Sequence, residues 1–505
     1  SWTLDGGITP LFVNPSNEVP SLTDNVIVTS GRTITMNTNN VQINSMQVIG
    51  TLDLAATTGH NFINISGNGR IRLSGSTDNF PAGSVTSFAD NSIGGTVEFY
   101  GSGKTLSSNR TLNNVVVNMT GSTDLLTLVT NFTINGNLTI ENGLFRINDN
   151  STLSNFVINI FGNVTVNASG GIRVGNTAST TRHEFNLYGN FINDGGTAYF
   201  TNRTSANFTA DDNTGFADFN TLNATRDQQI LCNGETRFSR IEINKGLNDT
   251  YKTTLSASTS SNFNLFGRSN FTIDTDQATT NENALGLIYG TVELGTNVNV
   301  TLNTSGNLAI YEGAQLWVNG ATVTKTGNTA IVPYGRLRVS AGTLTADVTG
   351  GITTRENGII QVDGGTITTR QIRTSTAGVS SDGSYIQTGG DVVLTGNDVS
   401  DEFAVFSLTY PGNVFNMSGG TLTIQSANNL GTASTRGSVF INSDPANVSI
   451  TGGTVIFEAD QAVTYRITSR ATFWNAIFRA TGGSRTFQLL GTTSGQGGGE
   501  VTLGI

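Results

Sequence analysis

The chain has 505 residues, with 61 Gly, 7 Pro and one cysteine, Cys232; 12% of its residues are charged, and 26 basic against 36 acidic side chains leave a formal charge of −10. Abundant Asn, Thr, Ser and Gly disfavour helix interiors and favour turns and strands. An acidic chain without a basic stripe excludes nucleic acid as a partner, a single cysteine excludes an intrachain disulfide, and no apolar run is long enough for a transmembrane segment.

In chain order, the first strand candidates lie in VPSLTDNVIVTSGRTITMN (19–37), INSMQVIGTLDL (43–54) and ISGNGRIRLSG (65–75). GGTVEF (94–99) then introduces a frame of small residues, Thr and a short apolar alternation. It returns as GGTAYF (195–200), YGTVEL (289–294), AGTLTA (341–346), GGTITT (364–369), SGGTLTIQ (418–425) and GGTVIF (452–457). Within the early half, NGNLTI (135–140), FGNVTV (161–166) and YGNFIN (188–193) step by 26 and 27 residues; later, Gly342, Gly365, Gly390, Gly420 and Gly453 are 23, 25, 30 and 33 apart. Returns of this size mark a solenoid, and their irregularity marks insertions at its corners.

Within each copy the period is two, so Val97 and Phe99, Leu422 and Ile424, or Val455 and Phe457 face inward while Glu98, Thr423 and Ile456 face outward. Such short strands bury a face only by stacking on neighbouring copies. Glycine, and next Asn, supplies the corner conformations, and stacked Thr predicts side-chain ladders. A second phrase, LNNVVVN (112–118), FSRIEIN (238–244) and FWNAIFR (473–479), predicts reuse of a whole coil. The expected fold is all-β, a right-handed parallel β-helix with irregular coils of roughly 23–33 residues. Its regions are 1–120, 121–280 with longer insertions, and a more regular 281–505. The last residues, GGGEVTLGI, break off inside another copy of the frame, which points to a segment of a longer polypeptide.

The opening phrases resemble the eight-glycine type of β-helical domain found in bacterial surface proteins. GGTVEFYGSGKTLSSNRTLNNVVVN (94–118), INGNLTIENGLFRIN (134–148), DQQILCNGETRFSRIEINKG (227–246), NFNLFGRSN (262–270) and FNMSGGTLTI (415–424) resemble phrases of giant β-helical cell-surface proteins of Bacteroidota. That group includes the SprB-like gliding-motility adhesins exported by type IX secretion. The resemblance implies an extracellular location at the bacterial surface, partners that are surfaces or polysaccharide, and a place within the secretion and gliding machinery. The implied function is that of a non-catalytic segment of a very large adhesin.

A polysaccharide-binding or polysaccharide-degrading β-helix enzyme and a purely structural spacer are the alternatives. Sugar hydrolysis requires two carboxylates at a fixed separation, whereas Asp53, Glu98 and Glu293 share an outward slot but lie far apart in sequence, so a solvated face and no enzyme activity are expected. His60 and His183, without ligand-spaced partners, are expected at the surface or at corners. Asp211 and Asp212, in the densest acidic loop, are the candidate Ca²⁺ ligands, with a polar corner as the competing reading. Thr139, Thr165, Thr345, Thr368 and Thr423 fall at like positions, but coils of unequal length do not make a flat crystal-binding lattice. Trp317, Tyr334, Tyr385 and Tyr410 are the aromatic candidates for stacking on sugar rings.

Overall fold

In the computed structural model the described residues are 20–90, 93–148, 154–175, 181–202, 216–267, 284–303, 307–374, 382–396, 403–428, 437–459, 464–480, 485–490 and 502–504. Among them there is no α-helix, and the strands stack in parallel, apart from the antiparallel pairing of Thr486–Leu490 with Thr502–Gly504 and isolated antiparallel bridges such as Thr201 with Phe216. The chain is a parallel β-helix, and it divides into two compact units. The first is Ser1–Ser205 with Ala210–Thr221 and Gln228–Ser239; the second is Ala206–Thr209 with Leu222–Asp227 and Arg240–Ile505.

A coil of the first unit has three faces. Phe132–Ile134 lies on one, and Leu138–Ile147 bends across the other two. Leu138 to Ile140 pair with Val115 to Val117 on one side and Val164 to Val166 on the other, whereas Leu144 to Ile147 pair with Leu125–Leu128 and with Gly171 to Val174. The register aligns inward residues into columns: Val97, Val115, Leu138, Val164, Phe191 and Ile230 stack successively and none is exposed. Burying each contributes about 1.5–3 kcal/mol. Towards the end of the first unit, Phe185, Phe191, Phe200, Phe219 and Phe238 fill the interior with ring pairs 4.9–6.4 Å apart.

In the second unit the irregular glycine returns are the coil lengths themselves. Leu344, Ile367, Val392, Leu422 and Val455 are successive partners in one column, 23, 25, 30 and 33 residues apart. Gly390 and Gly420 precede their strands at φ 68° and 76°, a conformation that L side chains rarely adopt, and a Cβ on either would meet the backbone of the coil beneath. Asn40, Asn148 and Asn297 occupy the same left-handed region at other corners, as the corner chemistry predicts.

Four expectations need correction. The phrases LNNVVVN, FSRIEIN and FWNAIFR do not mark equivalent positions, since their strands Asn114–Met119, Arg240–Asn244 and Asn475–Ala480 lie in three different ladders. His60 and His183 are buried rather than superficial. Each uses Nδ1 to accept a backbone N–H from the previous coil, from Val41 at 3.3 Å and from Phe156 at 3.0 Å. Asp53, Glu98 and Glu293 point outward yet are buried, because basic side chains on adjacent coils close over them. Finally, Thr139 with Thr165 and Thr345 with Thr368 are in register, but the hydrogen-bonded ladders are built from Asn. Asn137 Oδ1 accepts the Asn163 N–H, Asn163 Oδ1 that of Asn190, and Asn190 Oδ1 that of Gln229, at 2.8, 2.8 and 2.9 Å.

Candidate functional site

Of the aromatic residues named from sequence, Tyr385 is in the core. It stacks between Ile360 and Phe415 in an inward column, and its hydroxyl donates to the buried Gln387 Oε1 at 2.8 Å. Tyr334 is buried as well, so neither offers a ring to a ligand. Tyr410 is half-buried, in a turn closed by its own N–H donating to Asn413 Oδ1. Asp211 and Asp212 lie outside the described residues.

Trp317 sits on an outward column of the second unit, where Thr254, Glu293, Trp317, Arg338 and Gln361 follow one another in register. The Lys252 ammonium, from the coils on one side, is 5.4 Å from its ring centroid, and the Arg338 guanidinium, from the coil on the other, is 4.4 Å away. Its indole N–H donates to Ser340 Oγ at 2.6 Å, and Ser340 passes a hydrogen bond to Asn319 Oδ1. Asn319, Lys252 and Thr254 all donate to Glu293 at 2.6–3.1 Å. Burial pushes the Glu293 carboxyl up, but those three hydrogen bonds outweigh it and hold the group below its ordinary value. Asp363, bonded to Gln361, Arg338 and Thr388, behaves the same way. The Trp317 ring is therefore flanked by cations and its polar atom is engaged: the network fastens coils together.

The first unit repeats this logic. Asp53, Arg72 and Glu98 form one column of alternating charge, with Arg72 bonded to both acids at 3.2 Å and Arg70 to Glu98 at 2.8 Å. Arg72 also lies 4.4 Å over the Tyr100 ring, whose hydroxyl donates to Asp53. Both carboxylates are neutralised by guanidinium groups, and Arg72 joins the two acids across coils. Among the described residues no group of three His, Cys, Asp or Glu is placed to hold a metal ion, and no helix is long and apolar enough to cross a membrane.

Two exposed aromatic side chains among the described residues were not singled out by sequence: Trp474 in the second unit, 62% exposed, and Phe161 in the first. Phe161 and Tyr188 occupy the corners of successive coils, with ring centroids 4.6 Å apart and planes at 20°, and Phe161 is 42% exposed. Each lies in the pentapeptide N-x-[FY]-G-N, as NIFGN (159–163) and NLYGN (186–190). Gly162 and Gly189 are required because a Cβ there would collide with the backbone of the coil beneath. The flanking residues form asparagine columns: Asn186 Nδ2 donates to Asn159 Oδ1 at 3.0 Å and Asn220 Nδ2 to Asn186 Oδ1 at 2.8 Å on one side, and the Asn137–Asn163–Asn190 ladder runs on the other. The signal was the recurrence of FGN and YGN at a coil's spacing.

No protein-family model matches the chain, and no curated protein or solved structure matches it.

Proposed function

We propose that the chain is a non-catalytic segment of a very large secreted bacterial cell-surface adhesin, serving surface attachment and gliding motility through contact with extracellular surfaces or polysaccharide. The observation that carries this reading is the division of labour on the outward columns. Acids and bases there neutralise one another across coils, as in Asp53–Arg72–Glu98, while the exposed Phe161, stacked on Tyr188, is bordered by amides. Such a surface suits many weak, reversible contacts whose strength comes from repetition along a tethered chain. Export by the type IX route and an extracellular location belong to the same proposal, and rest on the sequence phrases.

A structural spacer is the second reading, favoured by the self-contained Trp317 network, which leaves no ring face for a ligand on that column. Deleting the parent gene and imaging cells on glass and agar separates the readings. Loss of attachment or gliding is the expected result. Unchanged movement together with lost growth on one polysaccharide would favour a degrading enzyme instead.

A further inference from the structure

We infer that the stripe formed by residues 159–163 and 186–190 is a binding site for neutral glycans rich in hydroxyl or acetamido groups. The inference rests on reading the chain as a glycan-contacting module, and it specifies which surface makes the contact and which sugars it takes.

Three columns lie side by side; the Asn159–Asn186–Asn220 column is closed on itself by its own amide hydrogen bonds, and the other two supply the elements of sugar recognition. The central one is the stacked pair Phe161 and Tyr188, an apolar surface of the kind that packs against the C–H face of a pyranose ring. The ladder of Asn137, Asn163 and Asn190 provides donors. Each Oδ1 is held by a backbone N–H of the next coil at 2.8–2.9 Å, which fixes the amide plane. No hydrogen bond to the described residues occupies the Nδ2 of these three, and Asn137 and Asn163 are exposed. The stripe thus presents immobilised N–H donors repeated at strand spacing, about 4.8 Å. Because they are already fixed, binding loses little side-chain entropy.

Charge selects the ligand class. Residues 131–140, 156–168 and 185–193 contain no charged side chain. Beside the Asn186 column lies Glu184, an exposed acid 3.4 Å from the Asn186 amide, in register with Asp218, whose charge is paired with Arg182 at 2.6 Å. Within the stripe a polyuronate would find no cation, and beside it the unpaired Glu184 carboxylate and an arginine already paired with Asp218, whereas hydroxyl and acetamido oxygens can accept from the asparagine amides without ionic partners.

Two substitutions separate binding from folding. Asn163→Asp keeps the oxygen that accepts the Asn190 N–H and removes the two donors; Phe161→Leu keeps an apolar side chain and removes the ring. Titration calorimetry of the full chain against chitohexaose, cellohexaose and polygalacturonate is the test, with thermal melts as the folding control. The expected result is binding of a neutral hexasaccharide, weakened about tenfold or more by each substitution at little change in melting temperature, and no binding of polygalacturonate. Neutral-glycan binding that both variants retain would overturn the site while leaving the glycan-contacting reading intact, and preference for polygalacturonate would overturn the ligand class. If the unaltered chain binds none of the three, the inference fails, and the proposed function then stands or falls on attachment of cells lacking the parent gene.

Discussion

Acidification should unlock the first unit through His183. The ring is fully buried, lies 5.6 Å from the Phe156 ring at an interplanar angle of 9°, and accepts the Phe156 N–H on Nδ1 at 3.0 Å. Its other nitrogen, Nε2, has no hydrogen-bond partner among the described residues. Protonation would place a proton on the one atom that must accept, and would bury a charge at a position shielded from solvent. Burial accordingly pulls the imidazolium down from 6.5 to about 4. Because the folded value is the lower one, the unfolded chain takes up a proton that the folded chain refuses as the pH falls below 6.5. Stability is therefore complete above 6.5, declines as the pH falls, and is fully lost from this source below about 4. The difference corresponds to at most about 3 kcal/mol. His60, lowered by burial as well, adds to it in the same direction. Urea unfolding at a series of pH values between 7.5 and 4.5 should show this loss, and His183→Gln, which retains an acceptor but cannot titrate, should flatten it. An imidazole resonance of His183 titrating near 6.5 in the folded chain, or a pH slope unchanged in His183→Gln, would refute the reasoning.

Gly162→Ala puts a Cβ against the Gly136 carbonyl, and chemical unfolding should show a loss of at least about 2 kcal/mol. Glu293→Gln removes the charge that pairs with Lys252 and leaves one acceptor oxygen where Lys252, Asn319 and Thr254 now share two, and it should cost about 1–3 kcal/mol at neutral pH. Since the Glu293 carboxyl lies below its ordinary 4.5, that cost should shrink as the pH falls under this value, which thermal melts at pH 7 and 3 would reveal. Phe219→Ala opens the aromatic interior and should destabilise the first unit by about 3–5 kcal/mol, measured by denaturant titration followed by near-ultraviolet dichroism.

The coil was legible because two local rules write it into the chain. Inward residues alternate, so Leu422 and Ile424 identify a face without knowledge of their partners, and a left-handed corner leaves Gly420 in place whatever lies beneath. What depends on register was not legible. Asp53 looked solvated because its partner Arg72 is 19 residues away and meets it only once the coils align. His183 looked superficial because the N–H it accepts belongs to Phe156, 27 residues earlier. Tyr385 was misplaced for a different reason: in SYIQ the inward phase carries Tyr and Gln and the outward phase Ile, reversing the usual polarity. The buried Gln387 satisfies the Tyr385 hydroxyl, and donates in turn to Gly390 and Thr421 carbonyls at 3.1 Å, so the polar pair survives inside the core. The stripe at Phe161 and Tyr188 was half legible, since FGN and YGN stood out as repeats while the stacking of their rings depends on the register of successive coils.

The central claim is that this chain holds polysaccharide without cutting it. Incubating the purified chain with a panel of insoluble and soluble polysaccharides, and measuring both the protein retained on the insoluble members and the reducing or unsaturated ends released, tests it most directly. The account predicts retention on at least one neutral polysaccharide with no increase in chain ends over buffer. A time-dependent rise in chain ends, abolished by substituting Glu98 or Asp53, would contradict it.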